Sequence, residues 1–470
     1  MRRESKLAFN TLLFAISNFG SKALSFFLVP FYTAVLTTEQ YGTADLISAS
    51  NSLLLPVITL CISDAALRFV MDKENNKSEV FVTGLFVVAM GTVAGFIIIP
   101  ILSGFFDLEE YWFYSAVILL FDCFYLFSSQ FCRGISKTVQ FALAGILQTL
   151  VFVVSNIIFL LVFSWGVKGY LVSMALSYLI PFVFLFFSAG LYSFLKGKIN
   201  KKLFLQMAKY ALPLIPNTVL WWVMNASDKF FISNMLGKDF NGIYAVSYKF
   251  PSIINMINTF FFQAWQISAI EEVDSGDRTA YYSSVFKNLC SFIMLGMSGV
   301  LFILKPLFAV WTAEDYYSAW QYTPLLLFAT MFMCFSSFWG SNLVAVKKTG
   351  VILRSAVAGG AANIVLNAVL IPIWGLYGAA FATLVGFFLT WLVRFTGSRD
   401  CCAVKIDYAA VIINLSLLVL QAAVLYFENY MIFESLLLLI FIIVNRKFVK
   451  SVFDIAFAIL KKMKTRGKQA

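Results

Sequence analysis

The chain has 470 residues, 61% of them hydrophobic and 13% charged, with a net charge of +11 and a mean hydropathy of +0.85. So few charges cannot cover a domain of this size with a polar shell, and the composition excludes a soluble globular protein. Continuous apolar stretches such as "FVVSNIIFLLVFSW" do not alternate as barrel strands do, which leaves an all-α polytopic membrane protein.

A helix needs about 20 apolar residues to cross roughly 30 Å of hydrocarbon. About fourteen such runs can be drawn, beginning near Leu7, Tyr41, Val80, Trp112, Thr138, Val167, Leu203, Asn241, Tyr281, Ala319, Thr349, Gly375, Tyr408 and Tyr430. "MRRESK" precedes the first run, which continues to Leu36 without a small-residue cleavage site, so it is expected to be a helix rather than a secretory signal. If the N-terminus is cytoplasmic, the loops and tails on that side hold 26 of the 35 Lys and Arg, eight of them from Arg446 onward. The opposite side has only Lys168, Lys238 and Lys305, beside the acidic "FDLEE" and "TAEDYY". The positive-inside rule then places both termini in the cytoplasm. The basic tail "KKMKTRGK" is expected on anionic headgroups, with no nucleic-acid partner. The seven cysteines show no disulfide or metal-site spacing, so no metal is expected.

The chain repeats itself at a period of about 210 residues. "SKTVQFALAGILQTLVFVVSNIIFLLVFSWGVKGY" lies over "KKTGVILRSAVAGGAANIVLNAVLIPIWGLYGA": Lys137 and Thr138 match Lys348 and Thr349, Asn156 matches Asn367, and Trp165, Gly166 and Gly169 match Trp374, Gly375 and Gly378. "LTTEQYGTADL" likewise matches "LGKDFNGIYAV", pairing Gly42 with Gly242. Two pseudo-symmetric six-helix bundles are expected, over residues 1–195 and 203–400. A cytoplasmic linker at 196–202 joins them, two additional helices occupy 401–450, and a basic tail covers 451–470. Six is even, so both halves enter and leave on one side, and a substrate site is expected between them near the midplane.

Polar stripes at helical spacing mark the faces turned inward. The first helix carries Thr11, Asn18, Lys22 and Ser25; the second carries Asp45, Ser48, Ser52, Thr59 and Ser63. The seventh carries Asn217, Trp221, Asn225 and Asp228; the eighth carries Lys249, Ser252, Thr259 and Gln263. Intramembrane charge is costly and usually functional. Asp228 lies about 12 Å below the turn after Leu236, at 1.5 Å per residue, and Lys249 about 10 Å below Gly242. Lys229 points about 100° away from Asp228, so the two need not touch. Asp64 precedes Arg68 by four residues, the favourable order for an ion pair. Lys22, Arg68, Lys249 and Arg354 are the candidate cations for a phosphate or diphosphate. Trp221, Trp222, Trp265 and Tyr248 are placed either to stack on sugar rings or to pack between helices. Asp64, Asp122 and Asp228 are the candidates for a coupling ion, H+ or Na+.

"SKALSFFLVPFYTAVLTTEQYGTADL", "DKFFISNMLGKDFNGIYAVSYKF" and "NIVLNAVLIPIWGLYGAAFATL" resemble signature stretches of bacterial polysaccharide flippases of the O-antigen, or Wzx, type. These belong to the multidrug, oligosaccharidyl-lipid and polysaccharide (MOP) exporter superfamily, and the resemblance spans roughly residues 7–396. It implies two six-helix bundles plus two helices, alternating access, and movement of an undecaprenyl-diphosphate-linked oligosaccharide to the outer leaflet of the bacterial inner membrane. Implied partners are membrane lipids and polysaccharide polymerase or assembly proteins; no cofactor is implied. Related lipid flippases place cavity cations on helices 1, 2 and 8, where Lys22, Arg68 and Lys249 stand here, a correspondence by helix rather than by aligned position. A multidrug cation exporter and a peptidoglycan lipid-precursor flippase share the fold and remain open. A membrane polymerase or glycosyltransferase is disfavoured, because no connecting loop exceeds about a dozen residues.

Overall fold

The computed structural model describes residues 26–72, 74–272, 276–400, 404–451 and 454. In chain order the α-helices are α1 Val29–Val35, α2 Thr38–Ile58, α3 Ile62–Val70, α4 Lys77–Phe105, α5 Trp112–Gly134, α6 Thr138–Asn156, α7 Gly166–Ser188, α8 Lys201–Ala211 and α9 Leu214–Met235. They continue as α10 Lys238–Ser247, α11 Lys249–Glu271, α12 Arg278–Trp311, α13 Thr323–Ala345, α14 Thr349–Trp374, α15 Leu376–Gly397, α16 Tyr408–Val424 and α17 Tyr430–Val444. No strand occurs among the described residues. Eight of the described helices are long and apolar enough to cross a bilayer, and α2 with α3 adds a bent ninth. The protein is a multi-pass helical membrane protein.

Turn chemistry sets many of the ends. Thr37 caps α2 in a capping box, its hydroxyl accepting from Gln40 N while Gln40 Oε1 accepts from Thr37 N. Asn76, Asn200 and Asp407 cap α4, α8 and α16 with their side-chain oxygens. Predicted starts at Trp112, Thr138, Thr349, Tyr408 and Tyr430 coincide with the observed ones.

Two predicted helices prove to be broken. The run from Tyr41 does not continue straight to Arg68: α2 and α3 meet at 53°. Leu60 and Cys61 both take left-handed backbone (φ 52° and 51°), four residues after Pro56, whose missing N–H weakens the preceding turn. The run from Leu203 is likewise two helices. Pro213 stands between α8 and α9 and cannot donate a helical hydrogen bond, so α8 becomes a separate amphipathic helix of 11 residues.

Several positions matched between the two sequence stretches share a backbone conformation. Gly166 and Gly375 both take left-handed φ (+52° and +57°), and so do Ser136 and Lys347 (63° and 62°), each pair matched in the sequence alignment. Asn156 and Asn367, also matched, are both fully buried, and each keeps a side-chain oxygen with no hydrogen-bond partner.

The described chain forms two compact units. Of the described residues, the first comprises those within 26–249, Thr312–Ala319 and Gly359–Gly386; the second comprises those within Phe250–Trp311, Trp320–Ala358 and 387–454. In the first, α2 crosses α10 at Gly42 and Gly242. A methyl group on Gly42 would overlap the Lys238 carbonyl oxygen and come 2.7 Å from Gly242 N; one on Gly242 would overlap the Thr38 carbonyl oxygen and come 3.2 Å from Gly42 N. Close approach of this kind is how helices associate where lipid supplies no hydrophobic drive. Asn241 Nδ2 donates to Gly42 O at 2.8 Å and Thr38 Oγ1 to Asp239 Oδ1 at 2.8 Å, fastening the crossing on both sides. In the second unit, Trp265 stacks on Phe338 at 5.1 Å and donates to Asn342 Oδ1 at 3.1 Å, so it packs between helices.

Candidate functional site

The site is built in the first unit around α9. One turn of this helix presents Ser227, Asp228 and Lys229 in succession, and at 100° per residue they diverge onto different neighbours. Asp228 is 1% exposed. Its Oδ2 accepts from Tyr244 Oη of α10 at 2.8 Å, from Thr383 Oγ1 of α15 at 3.3 Å and from Tyr248 Oη at 3.5 Å, while Oδ1 accepts from Lys229 N at 3.0 Å. Ser227 donates to Asn363 Oδ1 of α14 at 3.0 Å, and Asn367 Nδ2 donates to the same oxygen at 3.2 Å. Asn363 Nδ2 reaches Thr383 Oγ1 at 3.5 Å, closing the network. It gathers hydroxyl and amide oxygens from four helices around one carboxylate, a donor set suited to a proton or a hard monovalent cation.

Lys229 turns the other way. Its Nζ meets both oxygens of Asp45 on α2 at 2.9 Å, and the two side chains are 18% and 19% exposed. The neighbour of Asp228 in sequence is therefore neutralised by a different acid. Removing one partner of a buried pair leaves an uncompensated charge, which costs 3–5 kcal/mol in full burial. With residual exposure of this size, Lys229→Met or Asp45→Leu alone is expected to destabilise the protein by about 2 kcal/mol, and the double substitution by much less. Thermal midpoints of the detergent-solubilised variants check this; equal losses that simply add would contradict the pairing.

Lys249 is partly buried, with its Nζ 5.5 Å from the Tyr41 ring centroid. Asp64 and Arg68 both stand on the exposed side of α3, and theirs is not one of the ion pairs within 4 Å among the described residues. Asn217 is exposed near the start of α9, whereas Trp221 and Asn225 are partly buried further along it, with Asn225 Nδ2 bonded to Trp221 O at 2.7 Å. Trp222 donates to Ala49 O at 3.0 Å and to Ser52 Oγ at 3.1 Å, so it fastens α9 to α2. Asp122 lies partly buried on α5, among Tyr125 and Tyr178. Arg354, in the second unit, is exposed and bonded to Gly350 O of its own turn at 3.4 Å. Lys22, Asn18 and the side chain of Gln263 lie outside the described residues.

Pattern reading missed several partners. Asn363 and Thr383 occur in predicted helices without a stripe to mark them, and Asp45 was seen only as part of a serine face. Arg394, in the last turn of α15, is 3% exposed, donating to Ser355 Oγ and Ser336 O at 2.9 Å each. Glu434, on the last helix, is fully buried and accepts from Gln421 at 2.9 Å. Two lysines expected on the outer side are each ion-paired: Lys238 with Asp107 and Lys168 with Glu110, both at 2.8 Å. The hydrogen bond and charge of Lys238 hold the Asp107 carboxyl below the usual carboxylate range.

Polar networks thus run through the long apolar helices of the described chain. The chain belongs to the family described as polysaccharide biosynthesis protein, whose profile matches residues 7–266. It is 22% identical over 408 residues to an uncharacterized membrane protein of Methanocaldococcus jannaschii, covering 82% of this chain and 96% of that one. Among solved structures it is similar to the lipid II flippase MurJ in an inward closed conformation, with a TM-score of 0.71 at 16% identity over 94% of this chain and 100% of that one. It is also similar to an inward-facing multidrug resistance MATE family transporter of the MOP superfamily, with a TM-score of 0.62 at 15% identity over 80% and 97%. The fold is thus that of MOP-type flippases and exporters.

Proposed function

We propose that this chain is a flippase that moves undecaprenyl-diphosphate-linked oligosaccharide from the cytoplasmic to the outer leaflet of the plasma membrane by ion-coupled alternating access. The observation that carries this reading is membership of the polysaccharide biosynthesis family on a fold shared with transporters. The excess of Lys and Arg on one set of loops supports cytoplasmic termini. Asp228 and its surrounding oxygens form the coupling site for H+ or Na+. Lys249 and Arg68, both in the first unit, supply donors for the diphosphate, the arginine as a bidentate fork and the lysine as a point charge. In the first unit an apolar cavity of about 410 Å3, lined by Ile47, Leu54, Phe106, Trp222 and Phe230, suits a polyprenyl chain.

Lys249→Ala and Arg68→Ala are each expected to lower transport about tenfold while leaving a folded protein in the membrane, since one charge-assisted contact is worth roughly 1.5–3 kcal/mol. Wild-type flux in either variant removes that residue from the substrate path. The function itself is tested in cells from which the gene has been deleted. Accumulated undecaprenyl-diphosphate oligosaccharide with loss of surface polymer supports the reading, and the mass of the lipid identifies the glycan. An unchanged lipid pool with new sensitivity to cationic drugs favours an exporter instead. Accumulation of peptidoglycan precursor favours the lipid-precursor reading, which the likeness to the MurJ fold keeps in play.

A further inference from the structure

A second site lies in the other unit, at one end of α12, α16 and α17. A cavity of about 740 Å3 opens there, lined by cations from three separate stretches: Lys287 on α12, Lys405 before α16, and Arg446 with Lys447 after α17. All four are exposed, and none is in an ion pair within 4 Å among the described residues. Asp407 is the one acid in the lining, and its carboxylate is engaged in capping α16 through Ala410 N at 3.2 Å. The wall therefore carries a surplus of three positive charges.

The cavity is built rather than incidental. Lys405 N donates to Ser283 Oγ at 2.8 Å, which ties the segment before α16 to α12. Asn414 and Asn445 are 4% and 7% exposed and bond each other in both directions, at 3.2 and 2.8 Å, joining α16 to α17. The rest of the lining includes the apolar side chains of Phe286, Val411, Val444 and Phe448. Helices α16 and α17 have 17 and 15 residues, and at 1.5 Å per residue neither exceeds about 26 Å, less than the hydrocarbon thickness. Lys405 stands three residues before α16, and Arg446 and Lys447 two and three residues after α17, so three of the four cations lie at helix ends.

We propose that this cavity binds the phosphate of an anionic phospholipid headgroup, with the acyl chains lying against its apolar wall. Three stretches of chain converge cations on one volume, as a phosphate requires, and basic pockets between helices at the cytoplasmic level are where anionic headgroups are held. The site is independent of the Asp228 network and of the substrate assigned to it.

The test uses the full chain in detergent, titrated with short-chain phosphatidylglycerol or with phosphatidylcholine and followed by native mass spectrometry and by thermal midpoint. The wild type is expected to bind phosphatidylglycerol at least tenfold more tightly than phosphatidylcholine. The Lys287→Gln/Lys405→Gln/Arg446→Gln/Lys447→Gln variant is expected to lose that preference. A control with Lys196, Lys198, Lys201 and Lys202 changed to Gln removes the same charge elsewhere and is expected to keep it. Should the quadruple variant fail to fold, Lys287→Gln/Arg446→Gln is expected to reduce the preference at least threefold. Equal loss in the control, an undiminished preference in the cavity variants, or displacement of the lipid by millimolar inorganic phosphate alone would each overturn the proposal.

Discussion

Asp228→Asn is expected to insert and fold, and to lose both the ion dependence of transport and at least 99% of the coupled rate. The expectation follows from which charge neutralises which. Had Asp228 been the counter-ion of Lys229, removing its charge would have stranded a lysine among apolar helices. Lys229 instead meets Asp45 at 2.9 Å, so the cost of Asp228→Asn is confined to a rearranged hydrogen-bond set. That cost is about 1 kcal/mol, because asparagine keeps one acceptor oxygen for Tyr244 or Thr383. On the proposed coupling role, the ion loses the only carboxylate among the described residues of the network. A hundredfold loss of coupled rate corresponds to about 2.7 kcal/mol of coupling free energy, within the usual range for linked sites. Normal yield and midpoint with lost ion dependence support the assignment; retained ion dependence contradicts it.

Gly42→Ala is expected to destabilise the protein by roughly 3 kcal/mol or more. The added methyl meets the backbone of the partner helix, the Lys238 carbonyl oxygen and Gly242 N, rather than a side chain able to swing away. Overpacking that a side chain can relieve costs about 1–3 kcal/mol, and here α2 and α10 must separate instead. Separation also lengthens the bonds from Asn241 to Gly42 O and from Thr38 to Asp239. Gly242→Ala meets the mirrored obstacle, the Thr38 carbonyl oxygen. Because both changes pry open one contact, the double variant is expected to cost little more than either single one. Thermal midpoints near wild type for the single variants would show that the crossing is not close-packed.

These two residues also mark what a sequence alone discloses. Gly42 and Gly242 were matched as turn letters of a repeat, and the helix boundaries and left-handed positions at Gly166 and Gly375 follow from the same polar and glycine punctuation. Turn chemistry is local, so it is legible in one sequence. The break at Leu60 and Cys61 was hidden, because an apolar run continues through it and only Pro56 hints at a bend. The Asp228 network was legible as a charged residue on a polar stripe, but its partners were not. Helical periodicity gives the face a residue occupies and is silent on the neighbour across from it, so Thr383, Asn363 and the Asp45–Lys229 pair emerge only from the fold. A charge near a helix end, such as Arg394, reads as a loop cation until its acceptors, Ser355 and Ser336, are located.

The most direct measurement reconstitutes the purified chain in proteoliposomes with undecaprenyl-diphosphate-linked oligosaccharide in one leaflet and follows its accessibility to a glycan-cleaving enzyme added outside. The account predicts leaflet exchange accelerated by the wild type under an imposed H+ or Na+ gradient, and exchange at the protein-free rate with Asp228→Asn. Exchange that is no faster than in protein-free vesicles under either gradient would contradict the flippase assignment.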